Sequence, residues 1–507
     1  MKKILILFLS TILLGSCKSR VDLGYSPNSF EEQTAEVTFT GLIGGFQQGK
    51  LKSYPTDDAG KAKHRIHFNG VRIVLYSVNE DDPTQPDKVA YVFDKDIKAV
   101  AGTFSGNDYL PAVVETNEGI SFRVKGKEKI KVGNYLVYYF TSCNEQLKNA
   151  TSVGKAFSEI TGTLSYDREN DFRYGRLLNN IYFSNDPIKI SKSLFSDNAI
   201  NKTYELSMAK LTAINAVLSV KWKNVVNDKR YEIIGDQILV FPDVQNLKYY
   251  LFPKADEHLQ SKFQIYYPID PNYGGFAEKS LEELKNEFMY HDALSIGVTS
   301  SHDPNFSSSY RLIPENTVAS TETSAKVITR LILRVRMIPK NIKAQLTPAE
   351  LANGKLGWVD FNGKQYVDTD FLKTYKELLT KSTTTEEEKA FIAAGKRIII
   401  SKNGTHELAQ RGYEDDEIKF YFHSNNYFTF PITHSSLDAL GATTDNGGYF
   451  GVVRNHHYEY IINSFSTIGN SAPGSLTYDL DYLSDRFISS KCEIGDMTEI
   501  INEIDEL

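Results

Sequence analysis

The sequence predicts a mostly β protein: two β-sandwich domains with a few short helices and a C-terminal tail. Three observations lead there. Aromatics are abundant and skewed, with 30 Tyr and 29 Phe against 2 Trp, a bias that favours strands. Short segments alternate apolar and polar residues, the period-2 pattern of a half-buried strand. Gly, Pro, Asn and Asp separate these segments at sandwich-like spacing. At 507 residues the chain also exceeds one ordinary core, so it divides near residue 225 into domains at 35–225 and 226–470.

Each element follows from local pattern. In 35–43 (AEVTFTGLI), Val37, Phe39, Gly41 and Ile43 share one face and Glu36, Thr38 and Thr40 the other. Residues 44–69 hold Gly44-Gly45, Pro55, Gly60 and a basic series at Lys50, Lys52, Lys61, Lys63 and Arg65, which reads as a long exposed loop. Residues 71–78 (VRIVLYSV) form a second strand, followed by strands at 88–94, 119–124 and 134–141 and a helix at 144–159. The apolar run 205–222 reads as one long strand, a strand pair or a buried helix. In the second half, strands are expected at 231–240, 247–252, 262–268, 327–338, 397–401, 417–432 and 449–465. Helices are expected at 278–290, 370–381 and 386–394, the last with Glu386 to Glu388 in its first turn, where the helix dipole favours them.

The N-terminus carries an export pattern. Lys2 and Lys3 precede an apolar run from Ile4 to Leu14. Eleven residues at ~1.5 Å each fall well short of a ~30 Å bilayer core, so the run is a signal-peptide segment, residues 1–16. It ends in Leu14-Gly15-Ser16-Cys17, which resembles the lipobox of bacterial lipoproteins. That resemblance implies cleavage before Cys17, a diacylglyceryl group on its thiol and attachment to the outer membrane through lipid. Residues 17–34 then read as a polar tether. Three cysteines, Cys17, Cys143 and Cys492, are too few for a disulfide scaffold or a four-cysteine zinc site; a Cys143–Cys492 bridge stays open. A net charge of −7 gives no basis for nucleic-acid binding.

The search for chemistry is negative. There is no P-loop, no HExxH and no GxSxG elbow. Ser152 and Lys155 match SxxK by spacing alone. His456 and His457 are neighbours on an expected strand, so they point to opposite faces and cannot share a metal. Asp479, Asp481 and Asp485 lack the Gly and acceptor Glu of a calcium loop. No cofactor, metal or catalytic residue is expected, and the chain reads as a non-enzyme.

Residues 448–469 (GYFGVVRNHHYEYIINSFSTIG) resemble the C-terminal signature of the Bacteroidales major fimbrial subunit family (fimbrillin, FimA-type), the pilins of type V pili. Supporting pieces follow in the family's order: ITRLILRVRMIPK at 328–340, GWVDFNGKQY at 357–366 and NYFTFPITH at 426–434. VRIVLYSVN and AKLTAINAVLSVKW match more loosely in the first half. Read from the residues alone, 449–465 is a buried strand, with Arg454 pairing an acid or carbonyls inside the sandwich.

The resemblance implies two transthyretin-like Greek-key sandwiches and a structural subunit of a cell-surface fimbria, serving adhesion and biofilm formation. It also implies that a trypsin-like, usually arginine-specific protease removes the lipidated N-terminus with the first strand. Another subunit's C-terminal segment then fills the groove, giving a head-to-tail polymer of copies of the chain or of related subunits. Mapped here, the removed strand is Val37, Phe39, Gly41 and Ile43. The cut falls at Arg65, the only Arg between the first two strands, with Lys63 and Lys61 behind it; otherwise Arg65 is a solvated strand-edge residue. The donor candidate is 475–483 (SLTYDLDYL), with Leu476, Tyr478, Leu480 and Tyr482 on one face; nine residues extend roughly 30 Å. The tail continues as KCEIGDMTEIINEIDEL, where Met497, Ile500, Ile501, Ile504 and Leu507 fall at helical spacing and six acids follow Lys491. This reads as an acidic amphipathic helix that shields the donor, marks a tip or minor subunit, or packs on its own domain. A non-polymerising surface adhesin or glycan-binding lipoprotein is the competing function.

Overall fold

The hydrogen-bonded ladders change partners at Ile214. Before it, Ala209–Ala213 pairs with Tyr182–Ser184 and with Thr40–Ile43. After it, Asn215–Trp222 pairs with Arg311–Pro314 and with His456–Phe465. The run 205–222 is therefore a strand pair that passes from one sheet to another. The computed structural model describes residues 34–43, 70–79, 82–95, 97–98, 114–116, 119–124, 127–173, 176–177, 181–184, 186–195, 203–207, 209–222, 225–255, 268–274, 276, 278–290, 311–319, 324–352, 354–434, 450–473 and 488–496. Among these the architecture is mostly β, built on sandwich cores.

In the first half, Val71–Val78 lies between Pro86–Lys95 and Tyr135–Thr141, antiparallel to both. Val71, Ile73 and Leu75 join one core with Val137 and Tyr139. Val74 and Tyr76 join a second with Leu136, Tyr138 and Phe140. Covering on both faces explains why VRIVLY is apolar on both faces rather than alternating, with Arg72 its one charge, paired to Asp94 at 2.6 Å. The second core is roofed by two short helices, Glu145–Ala150 and Ser158–Thr161, where one helix over 144–159 was expected. Asn144 caps the first, accepting from the Leu147 N–H at 2.9 Å. The helix ends at Thr151, and Gly154 then takes φ +85°, a turn that no continuing helix accommodates.

In the second half, Tyr231–Asp243, Arg330–Pro339 and Asn425–Pro431 form one antiparallel sheet. It faces the sheet holding Asn215–Trp222 and His456–Phe465 across a core of Leu331, Leu333, Val335, Phe428, Tyr458 and Phe465. A smaller α/β unit sits between these strands in sequence. Trp358–Phe361 pairs with Lys364–Val367 and Ile418–Tyr421, and helices Asp368–Leu379 and Glu386–Ile398 pack on this sheet through Phe371, Tyr375, Phe391 and Ala394. Trp358 is fully buried, stacks on Tyr421 at 3.9 Å and donates its indole N–H to the Met337 carbonyl at 3.1 Å. The hairpin turn is Asn362-Gly363, both at positive φ, the geometry that Asn-Gly best supplies.

Four expectations need correcting. Residues 278–290 hold only the helix Leu281–Leu284, because Phe288–Met289 extends to pair with Gln245–Asn246. Residues 417–432 form two strands in different sheets, separated at His423 and Ser424, both at positive φ. Residues 449–465 are likewise Gly451–Val452 and His456–Phe465 with a turn between, Asn455 at φ +58°. The expected tail helix does not begin at Lys491: Ile488–Asp496 is a strand antiparallel to His456–Phe465. Met497 to Leu507 lie outside the described residues.

Candidate functional site

The first strand is inserted in the middle of its sheets. Thr34–Thr38 runs antiparallel to Glu128–Lys131 on one side and parallel to Thr203–Glu205 on the other. The ladder breaks at Phe39 and resumes: Thr40–Ile43 is antiparallel to Gly119–Val124 and parallel to Ala209–Ala213. Ala35, Val37 and Phe39 are 2%, 0% and 1% exposed. The Phe39 ring lies edge-on to Tyr139 at 6.1 Å and tilted against Phe93 at 5.8 Å. Glu36, on the other face, meets Lys127 at 3.4 Å and accepts from the Thr203 hydroxyl at 3.2 Å. For Gly41 and Ile43 the backbone places register: Gly41 opposite Ala209 and Phe122, Ile43 opposite Leu211 and Ile120.

Withdrawing this strand leaves a two-sided gap. Each buried Val or Phe contributes roughly 1.5–3 kcal/mol by leaving water. The ladder groups on both flanks lose their partners, at about 1–3 kcal/mol for each one left dry and unpaired.

The other assembly residues named from sequence, Cys17, Lys63, Arg65, Leu476, Tyr478, Leu480 and Tyr482, lie outside the described residues. Among the described residues, the strand that follows the donor candidate, Ile488–Asp496, is bonded only to His456–Phe465 and forms an edge of its sheet. Cys143 is a free thiol that burial pushes up to about 12; the side chain of Cys492 lies outside the described residues.

Arg454 pairs as the strand reading expected, although it sits in a turn. Its Nε meets both Glu315 carboxylate oxygens at 3.0 and 2.9 Å, and Nη2 meets Oε2 at 2.6 Å. Nη1 donates to the Leu251 carbonyl at 2.9 Å and Nη2 to that of Tyr250 at 2.7 Å. The guanidinium therefore ties the 453–455 turn to two other segments, a structural role. Beside it lies a half-buried histidine pair that sequence reading missed. His456 packs edge-on against His434 at 5.0 Å, not beside His457. The Tyr458 hydroxyl accepts from the Val453 N–H at 2.8 Å and lies 2.9 Å from His434 Nδ1. Burial, then His456, pushes His434 down to about 3. A residue 22 positions away meets His456 only through tertiary folding, so no local pattern announces it. Among the described residues no group of three or more His, Cys, Asp or Glu side chains is placed to hold a metal.

Residues 419–500 match the family described as major fimbrial subunit protein type IV, fimbrillin, C-terminal, the same family that the 448–469 signature resembles. No curated protein matches the chain in sequence. Solved structures with related folds include a candidate cell adhesion protein of Parabacteroides distasonis, at 10% identity, covering 92% of this chain and 100% of that one with a TM-score of 0.40. A fimbrilin of Porphyromonas gingivalis is 11% identical over 91% of this chain and 98% of its own, TM-score 0.36. The tip fimbrial protein Mfa3 of the same organism is 13% identical over 92% and 100%, TM-score 0.34.

Proposed function

We propose, from a C-terminal region that matches the fimbrillin family, that this chain is a structural subunit of a cell-surface fimbria. It is exported as an outer-membrane lipoprotein through Cys17, cut at Arg65 or Lys63 by a trypsin-like protease, and polymerised head-to-tail with other fimbrial subunits. The observation that carries this reading is the first strand, bonded on both sides and buried through Ala35, Val37 and Phe39. Removing it opens a groove that only another strand fills well. Leu476, Tyr478, Leu480 and Tyr482 supply four alternate apolar residues for it. Its two sandwich domains are residues 35–225 and 226–470. The role is mechanical rather than catalytic.

The test is cleavage of the full-length protein with an arginine-specific protease. A new N-terminus at Ile66 and SDS-resistant ladders are expected, both absent in an Arg65→Gln, Lys63→Gln, Lys61→Gln variant. Cleaved protein that stays monomeric at high concentration rejects the polymer. In that case retention of the uncleaved protein on a glycan array would favour the adhesin.

A further inference from the structure

Among the described residues three arginines are buried, Arg72, Arg330 and Arg454, and each holds a carboxylate: Asp94, Asp243 and Glu315. Two half-buried arginines on the central strand Arg330–Pro339 do not. Leu331, Leu333, Val335 and Met337 face the sandwich core, so Arg334 and Arg336 lie on the other face, between Ile332 and Ile338. Arg334 stands opposite Leu239 and Tyr427 in the ladders, with its guanidinium 5.5 Å from the Phe241 ring. Arg336 donates from Nε to the His423 carbonyl at 3.2 Å. Among the described residues neither has a carboxylate partner, and Arg334 Nη1 and Arg336 Nη2 are buried donors with no acceptor.

The surroundings are cationic as well. His423 is pushed down to about 4, by burial and then by Arg336, Arg334 and Lys355, with no acid opposing them. Burial pulls both guanidiniums down from their ordinary range. Desolvated cations are costly unless paired. Two residues apart on a strand, the two forks stand roughly 7 Å apart at their origins, within reach of one small anion. The guanidinium fork matches a carboxylate, donating two parallel N–H bonds.

We propose that Arg334 and Arg336 form a carboxylate-binding site on the outer face of this sheet, distinct from the strand groove and independent of polymerisation. The four acids at Glu499, Glu503, Asp505 and Glu506 are a source within the chain; an acidic sugar is a source outside it.

Thermal unfolding of the full-length protein with glucuronate or N-acetylneuraminate, against glucose at matched ionic strength, tests this. The acids, not glucose, should raise the midpoint saturably by at least ~2 °C. The rise should vanish in Arg334→Met and Arg336→Met and shrink in Arg336→Lys, which keeps charge without the fork. Without ligand, the Met variants should unfold at or above the wild-type temperature, because each loses an unpaired buried charge. A rise confined to a variant with Glu499, Glu503 and Glu506 changed to Gln and Asp505 to Asn also upholds the site and assigns its carboxylate to the tail. No saturable rise in either background, or an undiminished rise in Arg334→Met, overturns the proposal.

Discussion

At the scale of single residues, the buried charges decide what stability measurements will show. Glu315 holds Arg454 on both oxygens and also accepts the Arg454 backbone N–H at 3.1 Å. Glu315→Gln leaves a buried guanidinium without its counter-charge, and urea unfolding should register a loss of about 3–5 kcal/mol. Adding Arg454→Met should recover part of that loss; full additivity of the two changes would contradict a coupled pair. A second prediction concerns pH. His434 and His423 have folded values depressed to about 3 and about 4. Their contribution is complete above roughly 6.5 and is lost as pH falls through those values. Asp270 and Asp368 are raised by burial to about 7 and about 6. Their contribution is complete below roughly 4 and is lost as pH rises through those values. The two sets oppose each other between pH 4 and 6, where each group changes stability by about 1.4 kcal/mol per pH unit. The wild type should therefore be nearly flat in that window. His434→Gln should make stability increase toward acid, and Asp270→Asn should make it decrease; two unchanged slopes would contradict these environments.

At the scale of elements, what was legible in the sequence was whatever depends on local periodicity. The strand at 119–124 and the helix starting at Glu386 follow from alternation and capping chemistry, with Thr385 and Glu388 forming the reciprocal box at that helix start; the strand at 71–78 follows from its β-branched and aromatic content. What was not legible is where a strand breaks. Residues 417–432 and 449–465 look continuous because apolar residues flank the turns; His423 and Asn455 are types that enter the left-handed region more readily than most, but no glycine or proline beside them marks His423, Ser424 or Asn455 as the break. The acidic tail misled for a related reason. The helical spacing is carried by Met497 to Leu507, outside the described residues, and extending it back to Lys491 fails, because the long ladder to His456–Phe465 makes Ile488–Asp496 a strand. The first strand was readable as an element, and its aromatic anchor gives the third prediction. Phe39→Ala, buried against Tyr139 and Phe93, should cost the uncleaved subunit about 3–5 kcal/mol. A change in Glu36, on the exposed face, should stay within about 0.5 kcal/mol.

At the scale of the whole molecule, the groove's own symmetry limits what selects its occupant. The segment 34–43 has an antiparallel neighbour on one side and a parallel neighbour on the other throughout its length. A strand entering in either direction meets one of each, so the backbone ladder alone does not fix donor polarity. Register is fixed instead by the pockets that Ala35, Val37 and Phe39 occupy, because a one-residue slip turns every apolar side chain away from the core. Under the proposed polymerisation two C-terminal segments are candidates for this role: 475–483, whose alternate residues are Leu476, Tyr478, Leu480 and Tyr482, and Ile488–Asp496, an edge strand with a single neighbour among the described residues. The second alternates Ile488, Ser490, Cys492, Ile494 and Asp496 on one face and Ser489, Lys491, Glu493 and Gly495 on the other, which supplies less bulk than the first. Synthetic peptides separate them. Added in excess to freshly cleaved subunit, a peptide of residues 475–483 should suppress ladder formation as effectively as one of residues 34–43, since both fill the same pockets. A peptide of 488–496 should suppress it less, and Tyr478→Ala, Tyr482→Ala in the 475–483 peptide should abolish the effect. Equal inhibition by 488–496, or none by 34–43, would place the junction elsewhere on the molecule.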